Sequence, residues 1–349
     1  MKPMKPMKPM KGSVMFKVRS RVLSPVAALA LLAAAGCAGT AGAGATAPGS
    51  AASGALEKTT LNVAVVPAVD SAGFFVALHD GLFTREGLTI RYTPAISSDT
   101  VINQQVAGAY DITGGNYVSY IQHVANDHQP LQIIAEGSLM EPGSQAIYTM
   151  PRSKIRSLAQ LKGHLLGINA PGNINYLLAA AVLTQNGVNL RQVRFPAQPI
   201  PFPAMAGELA AGKIDAAAMP EPFATAAEEQ YGAVELADLN QGAAENFPIL
   251  GYVATKTWVR AHPNTLKAFL AALEQGQEIA DTSRTAVEQA METLSGPQDG
   301  QVPPIVAAVM ALDSYPIGVD KIRLQRVPDV MYEFGLLRSP FNIGQMLGS

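Results

Sequence analysis

A single cysteine, Cys37, and a single tryptophan stand in 349 residues. One cysteine excludes intramolecular disulfides and cysteine metal clusters. Charge is scarce too, 15% of residues against 48% apolar. That balance excludes a disordered chain, which is rich in charge and poor in apolar side chains. The length suffices for one large or two medium domains with buried cores. Basic residues are few beyond the N-terminus. Seven of the 25 precede the first acid, Glu57, and without them 18 face 27 acids, a balance of −9. So acidic a body is a poor nucleic-acid binder, because displacing counterions needs basic patches. His79, His123, His128, His164 and His262 are scattered, with no carboxylate at a convincing ligand spacing. No metal and no cofactor are therefore expected. P-loop, GxGxxG, HExxH and nucleophile-elbow motifs are all missing. After residue 36 no apolar run reaches the ~18 residues of a membrane span.

What is present begins with an address. Residues 1–21 are basic, residues 26–36 (VAALALLAAAG) are small and apolar, and Cys37 follows. This is the order of an export signal, and the apolar run is too short to span a bilayer. ALLAAAGC resembles a bacterial lipoprotein signal, which implies lipid on Cys37. One position departs from that pattern: Ala34 stands where leucine is preferred. Two starts are open, Met1 with its triple MKP repeat and Met15 with the more ordinary MFKVRSRVLSP. Residues 37–58 are rich in Ala, Gly and Ser and read as a flexible tether.

The body alternates strand and helix signals. Leu61–Val66 is a Val-rich buried strand, Ala72–His79 a helix stopped at Gly81, and Leu88–Tyr92 a strand. Asp99–Gly108 is a helix capped by Ser98 or Asp99, followed by strands at Tyr110–Thr113 and Leu131–Ala135 with a helix to Val124 between them. The order repeats over residues 155–245, with strands at Leu165–Asn169, Gln192–Phe195 and Ile214–Met219. Helices are expected from Ile174 to Gly187 and over Phe202–Ala211. Ala146–Met150 and Ile249–Thr255 bracket this second unit as hinge strands, and helices alone follow. The expected fold class is α/β, two lobes with parallel-rich sheets and two crossings. Residues 59–148 and 251–349 form lobe I, and residues 149–250 form lobe II.

Four collinear stretches carry a resemblance: VDSAGFFVALHDGLFTREGLTIRY, QQVAGAYDITGGNYVSYI, IRSLAQLKGHLLGINAPGNINYLL and LAAGKIDAAAMPEPF. Together they resemble the extracytoplasmic solute-binding proteins of ABC importers, in the group that binds nitrate, sulfonates, taurine and thiamine pyrimidines. The resemblance implies a periplasmic-binding-protein fold of type II and a small-molecule ligand. It also implies ABC permease and ATPase partners and an extracytoplasmic monomer, held at the membrane through Cys37, that is not an enzyme. A ligand-sensing subunit and a biosynthetic enzyme on the same fold stay open as alternatives.

Ligands of open α/β sheets bind beyond the carboxyl ends of the strands, where helix N-termini offer free N–H groups. Five loops qualify: Pro67–Phe74, Gly114–Tyr117, Glu136–Ser144, Ala170–Tyr176 and Pro220–Phe223. Asp70 and Ser71 either cap a helix or touch ligand. Gly115 admits a ligand close to the backbone or forms a turn, and the resemblance puts a ligand-contacting polar residue at Asn116. Asn173 either caps its helix or faces the cleft, with Asn175 and Tyr176 one turn in. Glu221, between two prolines, is a ligand acceptor or a solvated lip residue. Phe74, Tyr117 and Tyr176 offer rings for stacking, although Phe74 also suits the core. These loops carry Asp70, Glu136, Glu141 and Glu221 and no Lys or Arg. That favours a neutral or cationic ligand with N–H donors, such as an aminopyrimidine. A sulfonate- or nitrate-type anion held by helix N-termini stays open.

Overall fold

A computed structural model describes residues 54–294 and 302–348. Cys37 and most of the expected tether lie outside the described residues. The rest builds two sheets. The first contains β1 (Thr60–Val65), β2 (Thr89–Pro94), β3 (Ile112–Asn116), β4 (Leu131–Leu139) and β9 (Pro248–Thr255) in the order β2-β1-β3-β9-β4. The second contains β5 (Gln145–Thr149), β6 (Leu166–Gly167), β7 (Ala216–Pro220) and β8 (Val234–Asp238) in the order β6-β7-β5-β8. Both are mixed. Within each, one strand opposes the others: β9 pairs antiparallel with β3 and β4, and β5 with β7 and β8. Each crossing between sheets thus delivers one reversed strand into the interior of the sheet it enters.

This relocates the connectors. The stretches expected as hinge strands, Ala146–Met150 and Ile249–Thr255, are interior strands hydrogen-bonded on both edges. The sheet changes between Leu139 and Gln145, and again between Asp238 and Pro248. A doubly paired strand cannot bend freely, whereas residues 140–144 and 239–247 join the sheets as short connections.

Helices cover both sheets. α1 (Ala72–His79), α2 (Leu82–Arg85), α3 (Ser98–Val106) and α4 (Tyr117–Asp127) belong to the first. α5 (Ile174–Gln185), α6 (Phe202–Ala210) and α7 (Phe223–Tyr231) belong to the second. α8 (Lys256–Ala261), α9 (Pro263–Thr282), α10 (Arg284–Leu294), α11 (Pro304–Val309) and α12 (Lys321–Glu333) follow β9. α1 is apolar nearly all round because it is enclosed. At Gly276 of α9 an added Cβ would run into Gly73 O and Ala77, so only glycine permits this approach. Phe74, Phe83, Tyr252 and Phe269 pack in tilted and stacked pairs beneath these helices.

Other expectations shift with tertiary context. Gln192–Phe195 is not a strand: Leu190–Gln192 forms a 3₁₀ turn and only Arg194 bridges to Leu165. Gly114–Asn116, expected as loop, completes β3 because β9 pairs with it through Asn116. The prolines after β7 hid α7, where Pro222 sits at the N-cap and needs no N–H donor. Among the described residues no helix is long and apolar enough to cross a membrane.

Candidate functional site

The carboxyl ends of β1, β2, β3, β6 and β7 meet the amino ends of β5 and β9 around a pocket of about 30 Å³. Its polar wall comes from Asp70, Ser98 and Asn116 on the first-sheet side and Gln145, Asn169 and Asn175 on the other. Ser97, Gly115, Ile174, Pro220, Ile249 and Leu250 line it as well, with Val66 and Phe202. No Lys or Arg lines it. Three helices, α3, α4 and α5, begin at this wall, so the positive ends of their dipoles lie beside it; α4 and α5 are capped by Asn116 and Asn173, and α3 has no side-chain cap.

Two asparagines two residues apart do different work. Asn173 caps α5: its Oδ1 accepts from the N–H of Asn175 at 3.1 Å and of Tyr176 at 3.3 Å, and its Nδ2 donates to Asn169 Oδ1. Asn175 accepts from Asn169 N–H at 3.2 Å, but its Nδ2 is buried in the pocket wall with no partner. On the opposite wall Asn116 caps α4 by accepting from Ser119 N–H at 2.9 Å, and donates Nδ2 to Ser98 Oγ at 3.0 Å. A Cβ on Gly115 would collide with that serine hydroxyl, so glycine lets α3 close on β3.

Asp70 lines the pocket and its Oδ1 is buried without a hydrogen-bond partner. Burial, and then the charge of Asp313, pushes its carboxyl up to about 8. Asp313 is itself pushed up to about 7 by burial, against the lowering influence of the Ser144 and Ser138 hydroxyls. At about 8, Asp70 is largely neutral at pH 7 and then donates a hydrogen bond, whereas Asp313 is about half ionised there.

The other expected contacts lie elsewhere. Ser71 is buried and gives its hydroxyl to Val66 O at 2.8 Å. Phe74 is core, against Phe75, Phe83, Tyr92 and Tyr252. Tyr117 is buried over Gly251, where a Cβ would strike its ring. Tyr176 packs edge-on against Phe195 at 5.0 Å. Glu136 is buried on β4 and accepts from Arg323 Nε at 2.8 Å and Nη2 at 3.0 Å. Glu221 lies just outside the pocket wall. It accepts from Thr225 N–H at 3.0 Å and Oγ1 at 2.7 Å, and its backbone joins Val69 to Ser144. Burial raises its pKa. A nearer intramolecular partner claims each of these groups except the Tyr117 hydroxyl, which is buried without a hydrogen-bond partner while its ring packs on Gly251.

Ser98, Gln145, Asn169 and Phe202 were not among the expected contacts. The carboxyl-end rule applies equally to the loop after β2 and to the end of β6, so Ser98 and Asn169 carried a usable signal. Gln145 and Phe202 did not, because only the crossing and the fold of α6 bring them here. Among the described residues no group of three or more His, Cys, Asp or Glu is placed to hold a metal.

Two mixed sheets with a polar pocket at their shared edge define a two-lobed periplasmic-binding-protein fold. The family model described as NMT1/THI5 like matches residues 68–282, and the chain belongs to that family. The nitrate/nitrite binding protein NrtA of Nostoc sp. (strain PCC 7120) is 23% identical over 259 residues, which cover 67% of this chain. The match spans 56% of that relative's length. The alkanesulfonate-binding protein SsuA from Xanthomonas axonopodis pv. citri superposes with a TM-score of 0.69 at 19% identity, over 84% of this chain and 99% of its own. The periplasmic nitrate-binding protein NrtA from Synechocystis PCC 6803 superposes with a TM-score of 0.68 at 15% identity, over 82% and 84%.

Proposed function

We propose that this chain is the extracytoplasmic substrate-binding protein of an ABC-type importer and captures a small polar solute in the pocket between its sheets, without catalysing a reaction on it. One observation carries the reading. Asn175 Nδ2 on one wall and Asp70 Oδ1 on the other are buried, unpartnered and placed in the same pocket. Buried polar groups without partners are costly, and a solute bearing both an acceptor and a donor satisfies both. Family membership and the nitrate- and sulfonate-binding relatives support the transport role. The ligand we infer is neutral or cationic with N–H donors, of aminopyrimidine type. Residues 140–144 and 239–247 bend as the lobes close, and closure is driven only by contacts better made in the closed form. The closed monomer delivers its solute to a permease and ATPase. Lipid on Cys37 holds it at the membrane, so Cys37→Ser should release it into the medium, and retention would count against the anchor.

A thermal-shift screen tests the ligand. An aminopyrimidine at about 100 times its Kd should stabilise the protein by about 2.7 kcal/mol. A second reading, an oxyanion or sulfonate, is favoured by the three helix N-termini and by the neutral state of Asp70 near pH 7. Stabilisation by nitrate or sulfonates alone would select it.

A further inference from the structure

Two arginines of α12, three residues apart, reach the junction between the sheets and are satisfied differently. Arg323 is paired with the Glu136 carboxylate. Arg326 forms no ion pair among the described residues. Its Nη2 donates to Glu245 O at 2.7 Å and to Ala243 O at 3.5 Å, and its Nη1 donates to Asn246 O at 3.2 Å. The guanidinium carbon lies 5.7 Å from the centre of the Phe247 ring. All four partners belong to the second crossing, residues 239–247, and none of them lines the pocket.

The crossing is bent to present these carbonyls. Gly242–Ala244 forms a 3₁₀ turn. Asn246 has φ of +48°, a left-handed conformation uncommon in a residue with a side chain, and its N–H donates to Asn240 Oδ1 at 2.6 Å. The first crossing is tied to the second, because Met140 N–H donates to Phe247 O at 2.9 Å. The 3₁₀ turn packs against α5 of the second-sheet side, whereas α12 packs on α4 and β9 of the first. Arg326 therefore joins the two sides where the chain passes between them. Hydrogen bonds from a charged donor are strong, yet releasing neutral carbonyls strands no carboxylate. Such a contact can be made and broken as a hinge moves.

We propose that Arg326 is a conformation-selective staple of the hinge: it holds residues 243–247 in their present bend, favours the arrangement in which the two sheets enclose the pocket, and so sets solute affinity from outside the pocket. This rests on residues 239–247 bending as the lobes close. A solute that binds only the enclosed arrangement loses apparent affinity in proportion as fewer molecules adopt it.

The test combines hydrogen exchange with a distance measurement on the solute-free protein. Nitroxide labels are placed at Gln104→Cys and Thr184→Cys, exposed positions on α3 and α5, in a Cys37→Ser background that leaves no other cysteine. Arg326→Ala should speed exchange of the bonded amides of Ala244, Glu245 and Asn246 about tenfold, with β3 and β4 unchanged. It should also move part of the label-to-label distribution to longer distances. Arg326→Lys keeps the charge but lacks the planar fork, and should resemble Arg326→Ala. Acceleration spread over the whole chain makes Arg326 a stabiliser of the fold and overturns the inference. So does full rescue by lysine, or faster local exchange with an unchanged distance distribution. In those cases the import reading stands on the thermal-shift screen. A parent whose distance is single, and unmoved by a solute found in that screen, counts against closure itself and overturns the staple with it.

Discussion

Two buried carboxylate sites on the first-sheet side are built in opposite ways. On β4, Glu136 is 1% exposed and meets the Arg323 guanidinium of α12 through two hydrogen bonds. The Asp320 N–H adds a third. At the cleft, the Asp70 carboxyl and Asp313 are also shielded from water, yet neither forms an ion pair among the described residues; burial raises both pKa values, and the charge of Asp313 raises that of Asp70 further. The sequence presents Glu136 and Asp70 alike, as acids in loops at strand ends, and gives Asp313 no mark at all. A cation on the neighbouring element makes the first a fixed joint between β4 and α12, and its absence leaves the pair able to change protonation.

Breaking the joint should have the largest effect. Glu136→Ala strands the Arg323 charge in a mostly buried position and should cost about 3 kcal/mol in chemical denaturation, with ligand affinity of the folded protein unchanged. A neutral outcome would mean that Glu136 is no more a joint than Asp70.

The acid pair sharpens the contrast through pH. Both folded pKa values, about 8 and about 7, lie above the ordinary aspartate value of 3.8 expected in the unfolded chain. The folded protein therefore binds more protons than the unfolded chain across that interval. Stability from these groups is full below the unfolded pKa and is lost as pH rises through the folded values. Asp313→Asn removes one charge of the pair. Its melting temperature should exceed that of the parent by roughly 2–4 °C at pH 8, and the gap should shrink toward pH 5. An equal gap at both values would remove titration from the explanation.

The smallest effects separate two asparagines. Asn173→Ala removes the α5 cap and should cost about 1 kcal/mol of stability. Asn175→Ala removes an unpartnered donor and should weaken solute binding about tenfold, with less change in melting temperature. The opposite pattern would exchange their roles.

Much of this architecture was legible. The helix Ala72–His79 was read at its observed bounds, because Gly81 stops an apolar helical stretch. The alternation of strands and helices predicted two α/β units, since burial periodicity is local. The reversed strands were not legible: PILGYVAT and QAIYT carry no mark of direction, which pairing alone sets. The site was partly legible. Asp70, Gly115, Asn116 and Asn175 follow from the carboxyl-end rule and line the pocket. Glu136, Tyr117, Tyr176 and Phe74 obeyed the same rule or its aromatic extension but found partners within the fold.

By itself the sequence determined the order of elements, the places where helices start and stop, and the polar residues available at strand ends, because these depend on neighbours a few positions away. The tertiary structure alone decided which of those polar groups remained free. Arg323 reaches Glu136 from 187 residues along the chain, and no local pattern encodes such a meeting. It also decided that Asp70 and Asn175 line one pocket, because cavities form between elements that only folding brings together.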